Sequence, residues 1–285
     1  MKTRILMLGL VLSIMTISCT KKDAADTTVI SPDEAVINAK IDAVNEDVSQ
    51  IIEEQLEATL QNASGRGIES NAATCPTITR TPALGTPLTV GANVTKNIDF
   101  GTNCIRNGKT LSGAIEISFV YDPMASSHVV TYTFINFYHN GKKFAGTKTF
   151  TKSKASTPVN TAIHPIVVMT MNMTMTLPDG RTFTRVGTRT RELVSGTVAN
   201  NNLVWQVVGN WTTTFPNNSV QTSTITTPLI IKQDCILQGQ SPISAGVISF
   251  VRNGNTATLN YGNGACDKAA VFTYNGIIYN IILNP

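Results

Sequence analysis

Four arginines, Arg181, Arg185, Arg189 and Arg191, occupy odd positions of one alternating segment. Odd positions of a β-strand share a face, so this spacing predicts a one-sided guanidinium row roughly 33 Å long at about 3.3 Å per residue. Lys142, Lys148, Lys152 and Lys154 alternate in the same way in the preceding hairpin, and Gly146-Thr147-Lys148-Thr149 mirrors Gly187-Thr188-Arg189-Thr190. Guanidinium groups grip phosphate and carboxylate in bidentate fashion. The row is therefore a candidate anion-binding surface for an anionic glycan or lipopolysaccharide. The plainer reading is a solvated sheet face, partly neutralised by the acidic N-terminal helix.

Met169, Met171, Met173 and Met175 alternate with Thr170, Asn172, Thr174 and Thr176. Four thioethers on one strand face suit Cu(I), but no His or Cys adjoins them, and a methionine-filled core strand is the better expectation. Trp205, Gly209 and Trp211 also share a strand face, which suits sugar stacking or, more commonly, core packing. His128, His139 and His164 show no metal-like spacing and no carboxylate partner visible in sequence. The chain carries no G-x-S-x-G elbow, H-E-x-x-H, P-loop or dinucleotide glycine signature. No catalytic residue, metal ligand or cofactor is assigned, and no nucleic-acid partner is expected.

The N-terminus gives the clearest address. Met1-Lys2-Thr3-Arg4 is basic, Ile5 to Ile17 is apolar, and Ser18-Cys19 follows. That order predicts a secretory signal peptide over 1–18, too short to span a bilayer. Ile17-Ser18-Cys19 resembles a bacterial lipobox, although Thr16 stands where leucine is usual, and Thr20-Lys21-Lys22-Asp23 resembles the start of Bacteroidetes lipoproteins. The resemblance implies acylation (palmitate) of Cys19, a membrane partner through the acyl chains, and an outer-membrane, cell-envelope location facing the periplasm or the surface. It implies no assigned activity. Asp26-Thr27-Thr28 fits the short O-glycosylation motif of the same bacteria.

Four further cysteines remain, an even count that in an exported chain suggests disulfides. Cys75 and Cys104 lie 29 apart, Cys235 and Cys266 lie 31 apart, and each second cysteine follows an aliphatic–Asx–aromatic–Gly strand end: Ile98-Asp99-Phe100-Gly101 and Leu259-Asn260-Tyr261-Gly262. One unit used twice predicts Cys75–Cys104 and Cys235–Cys266. A zinc site is the rival, but nothing here has C-x-x-C spacing.

The elements that position these residues follow from composition and period. At 285 residues, 42% hydrophobic and 14% charged, the chain is not a disordered one. Its 40 threonines argue for strands over helices. Residues 19–74 hold four basic residues against eleven acids, a charge of −7, while 75–285 hold sixteen against seven, a charge of +9. Beyond a polar tether over 19–30, Ser31-Pro32-Asp33-Glu34 reads as a helix start. Ile37, Ile41, Val44, Val48, Ile51, Leu56 and Leu60 make one apolar stripe with the acids mostly elsewhere. An amphipathic helix over 31–62 is expected, packed on its own β domain rather than in a coiled coil.

From 75 to 285 the pattern alternates, punctuated by Asn-Gly or Asp-Gly at 107–108, 140–141, 179–180, 253–254 and 275–276. The expected fold class is mainly β: a long antiparallel β-meander, either an extended twisted sheet or barrel-like, with one N-terminal helix. The functional expectation is a non-enzymatic envelope lipoprotein that binds a ligand or partner. A lipid or lipopolysaccharide carrier is the first alternative, favoured by a concave apolar face larger than the helix covers. A hydrolase is the second, favoured by carboxylates converging in a cleft. The sequence carries no sign of oligomeric state.

Overall fold

A computed structural model describes residues 29–62, 75–106, 108–197, 200 and 202–283. The signal segment, Cys19, the Asp26-Thr27-Thr28 motif and the tether before Val29 lie outside the described residues. The first element among the described residues is helix α1 (Pro32–Asn62). Its start is a capping box: the Glu34 amide donates to Ser31 Oγ and the Ser31 amide to Glu34 Oε2, both at 3.2 Å.

Fourteen strands follow among the described residues: β1 (Thr77–Thr81), β2 (Asn93–Asp99), β3 (Cys104–Arg106), β4 (Lys109–Val120), β5 (Ser127–His139), β6 (Lys142–Ala155), β7 (His164–Thr176), β8 (Thr182–Ser195), β9 (Val204–Thr214), β10 (Val220–Lys232), β11 (Ile243–Arg252), β12 (Asn255–Asn263), β13 (Ala269–Tyr274) and β14 (Ile277–Ile282). A one-turn helix, α2 (Gln233–Leu237), separates β10 from β11. Each strand pairs antiparallel with its chain neighbour in one sheet, except that β3 is a side strand on β4 and β2 pairs β4 directly. The first and last strands of the path, β1 and β14, do not pair, so the meander is an open sheet and not a closed barrel.

The turns follow from backbone sterics. At β5–β6, β11–β12 and β13–β14, Asn140-Gly141, Asn253-Gly254 and Asn275-Gly276 all take positive φ, between 48° and 79°. This is the twist-matched hairpin geometry that Asn-Gly favours. Register breaks bend the sheet. One lies at Ser112/Ala114 opposite β5, and others lie between β9 and β10 and between β10 and β11.

The bent sheet curls around α1. Nine consecutive helix residues, Ile41 to Ser49, are all buried, although they point in every direction around the helix axis. Val48, Ile52 and Leu56 are fully enclosed, each contributing about 1.5–3 kcal/mol by burial. Across from them, Met169, Met171, Met173 and Met175 line the inner face of β7 with Phe144, Phe150 and Trp211. Met169–Met175 is thus core.

The outer face explains the threonine excess. One lateral row runs through Thr81, Thr95, Ser118, Thr131, Thr149, Thr170 and Thr188, and continues through Asn210, Thr224, Ser249 and Thr258 to Thr273. β-Branched side chains with a hydroxyl satisfy strand propensity and solvent together.

Both disulfides predicted from the repeat are formed. Cys75 joins Cys104 with Cα atoms 5.6 Å apart, and Cys235 joins Cys266 at 5.0 Å. The first ties the chain before β1 to β3, and the second ties α2 to the β12–β13 connection.

Candidate functional site

The inner face of the sheet is cationic, and the helix is the anion it meets. Helix α1 carries eight acids against Lys40 alone. Asp42 Oδ1 accepts from Arg185 Nη1 and, at 2.5 Å, from Arg189 Nη2. Glu46 lies 3.9 Å from Arg189 and 3.3 Å from Arg191, whose other nitrogen donates to Glu53. On the opposite side of the helix, Lys109 Nζ reaches both oxygens of Asp47 at 2.5 Å, and His139 Nε2 is 3.0 Å from one of them. Lys148 donates to Asn45, Lys152 to Glu57 and Arg106 to Glu54. Arg252 holds Glu34 at the helix start at 3.1 Å.

This geometry corrects the expectation of an external anion at the arginine row. Arg185 and Arg189 keep only 1% and 2% of their side chains exposed and Arg191 keeps 11%. The three form a one-sided row, but the side is inward and the carboxylates they grip are Asp42, Glu46 and Glu53. Arg181 lies just before β8, exposed, and pairs with Asp179 at 2.8 Å. Asp42, Glu46 and Asp47 of the helix are buried for the same reason: cations on several strands surround them.

Burial has a measurable electrostatic signature. Desolvation pulls Arg185 and Arg191 below the ordinary arginine value, against the carboxylates that hold the proton on. Lys148, beneath the Tyr132 and Phe134 rings at 5.8 and 5.9 Å, is pushed down to about 7 by desolvation and then by Arg189. Tyr261 is pushed well above its ordinary value by burial and by Asp42.

Other residues singled out in the sequence fall into structural roles. Trp211 lies under the guanidinium groups of Arg189 and Arg185, at 4.0 and 5.0 Å, and Trp205 lies under Arg191 at 4.5 Å. Two of the histidines have carboxylate partners that only the fold reveals: His139 has Asp47, and His164 has Glu192 at 2.7 Å while its Nδ1 meets the Ala162 carbonyl at 2.6 Å. Lys96, Lys109, Arg252 and the helix carboxylates, none of them on the list of candidates, turn out to be the other half of the interior. Their signal was the −7 and +9 charge split, which places two opposite charges in one chain but not in one core.

The helix does not fill the whole concavity. A cavity of about 480 Å³ remains beside its C-terminal half, at the open ends of β6 to β10. Leu193, Leu203, Trp205, Ile231 and Ile236 supply apolar lining. Glu46, Glu53, Glu54 and Glu57 project from the helix wall, and Arg191, Lys152 and Lys154 from the sheet. Carboxylates do converge here, but each is bonded to a cation: Glu46 and Glu53 to Arg191, Glu54 to Arg106, Glu57 to Lys152. No described helix is long and apolar enough to cross a membrane. Comparison with protein-family models, with curated proteins and with solved structures finds no match to this chain.

Proposed function

We propose that this chain is a non-enzymatic lipoprotein of the cell envelope, held to the outer membrane by acyl chains on Cys19, whose β body binds a ligand in the cavity beside α1. The observation that carries the ligand-binding part is that cavity: at about 480 Å³ it falls in the size range of about 300–1,000 Å³ typical of small-molecule sites. It also combines apolar lining with a few placed charges, the composition such sites share. Two disulfides support an oxidising compartment, where such bonds persist.

The apolar lining beyond the reach of α1 supports a carrier role in the same cavity, with a lipid as the cargo. A multi-chain lipopolysaccharide would need the helix to leave, whereas one acyl chain would not.

Two measurements test the proposal. Radiolabelled palmitate enters the wild-type chain and not Cys19→Ala; equal labelling of both ends the lipoprotein reading. Native mass spectrometry of the protein extracted from envelopes in mild detergent shows a non-covalent small-molecule adduct, which is lost when Leu203→Trp fills the cavity. An adduct that survives that substitution places the ligand elsewhere.

A further inference from the structure

Resting on the ligand-binding reading, we infer that the ligand of this cavity is a single-chain amphipathic anion: an unbranched acyl or alkyl body with a carboxylate or similar acidic head. The argument begins with charge. Seven ionisable side chains line the space. Six of them are neutralised by one another or by neighbours: Glu46 and Glu53, together with Asp42, meet Arg185, Arg189 and Arg191, while Lys152 meets Glu57 and Arg106 meets Glu54. Lys154 is the seventh. It is exposed on the inward-facing side of β6, one alternation beyond Lys152, and has no ion-pair or hydrogen-bond partner among the described residues. The charge left over at the rim is therefore positive, although the lining holds more acids than bases.

Shape supplies the rest of the class. The rim at Lys154 lies next to Pro165, its β7 partner. Apolar lining on β8, β9, β10 and α2 comes from Leu193, Trp205, Ile231 and Ile236. A ligand seated there lays its hydrocarbon on that lining and leaves its head at the ammonium of Lys154. A cationic amphiphile would set its head against Lys154, with every nearby carboxylate already held. A neutral one would gain nothing from it.

Titration calorimetry of the lipid-free mature chain with dodecanoate, monododecanoyl glycerol and dodecylammonium tests this directly. The expected order is dodecanoate tightest and dodecylammonium weakest. Lys154→Glu should weaken dodecanoate at least tenfold and leave monododecanoyl glycerol within about twofold, while Leu203→Trp should weaken both. Lys154 is exposed, so its variant is expected to fold, and the retained glycerol ester binding reports that it has. Dodecylammonium binding as tightly as dodecanoate, or dodecanoate binding indifferent to Lys154→Glu, overturns the anionic class while the cavity remains a binding site. If none of the three binds although the envelope-extracted protein carries an adduct lost in Leu203→Trp, the amphiphile class falls and the ligand-binding reading stands.

Discussion

Arg189 places its Nη2 2.5 Å from Oδ1 of Asp42, a residue 147 positions earlier in the chain, at a point where neither side chain is more than 2% exposed. The same oxygen accepts from Arg185, and the other, Oδ2, is buried without a partner among the described residues. One carboxylate thus binds two guanidinium groups in the interior, and Glu46, 3.9 Å from Arg189, supplies a further negative charge. Removing one partner of a buried charge pair leaves the other uncompensated, at a cost of about 3–5 kcal/mol. Asp42→Ala is therefore expected to lower the unfolding free energy by at least that range in urea titrations. Arg181→Ala, on the exposed arginine of the same run, should stay within about 0.5 kcal/mol of wild type. Equal effects of the two would mean that the row is not buried.

Gly187 lies opposite Trp211 in the β8–β9 register. A Cβ at Gly187 would come 2.5 Å from Trp211 Cα and from the Asn210 carbonyl oxygen. That contact is too close for the backbone to absorb without shifting, and overpacking of this kind costs about 1–3 kcal/mol. Gly187→Ala should lose stability in that range. A neutral result would contradict the close approach of β8 and β9 at this point.

The unfolded chain keeps the Lys148 proton up to the ordinary value of 10.5, whereas the folded chain keeps it only to about 7, owing to desolvation and to Arg189 and Arg185 against Glu46 and Asp42. Between those values the unfolded state binds more protons, so this group makes stability rise with pH, by at most about 1.4 kcal/mol per unit. Buried Tyr132 and Tyr261, raised by desolvation, act with the opposite sign only above the ordinary tyrosine range. Urea midpoints measured from pH 7 to 9 should therefore climb in the wild type and flatten in Lys148→Met. A parallel climb in both would assign the slope to another group.

The disulfides close loops of 29 and 31 residues. In the chain-entropy model each is worth about 3–4 kcal/mol. The double replacement Cys235→Ser with Cys266→Ser should lose about that much, and the Cys75 and Cys104 pair a similar amount. Loss of less than about 1 kcal/mol from both would show that the reduced chain is already restrained.

Much of the architecture was legible because its signals are local. The capping box at Ser31 and Glu34, the Asn-Gly hairpins and the alternation of Met169 to Met175 depend on neighbours within a few residues, and the structure repeats them. The disulfide pairing was legible because one strand-end unit recurs. The direction of the arginine row was not. In β8, Phe183 shares the odd face with Arg185, Arg189 and Arg191, while the even face is threonine and valine with Glu192 near its end. Polarity alone points that odd face outward, and only a buried acidic helix makes it the inner one. That partner lies more than 130 residues away. The cavity was hidden for the same reason: Lys154, Leu203 and Ile236 meet only when five strands and two helices are in place.

The central claim is that α1 is the interior of this fold, enclosed by a sheet whose cations face it. Native-state hydrogen exchange of the full mature chain tests it most directly. If the claim holds, the amides from Val44 to Ile52 exchange only through global unfolding, as slowly as those of β7 and β8. Exchange of those helix amides at the rate of an exposed, fraying helix, while β7 and β8 stay protected, would contradict it.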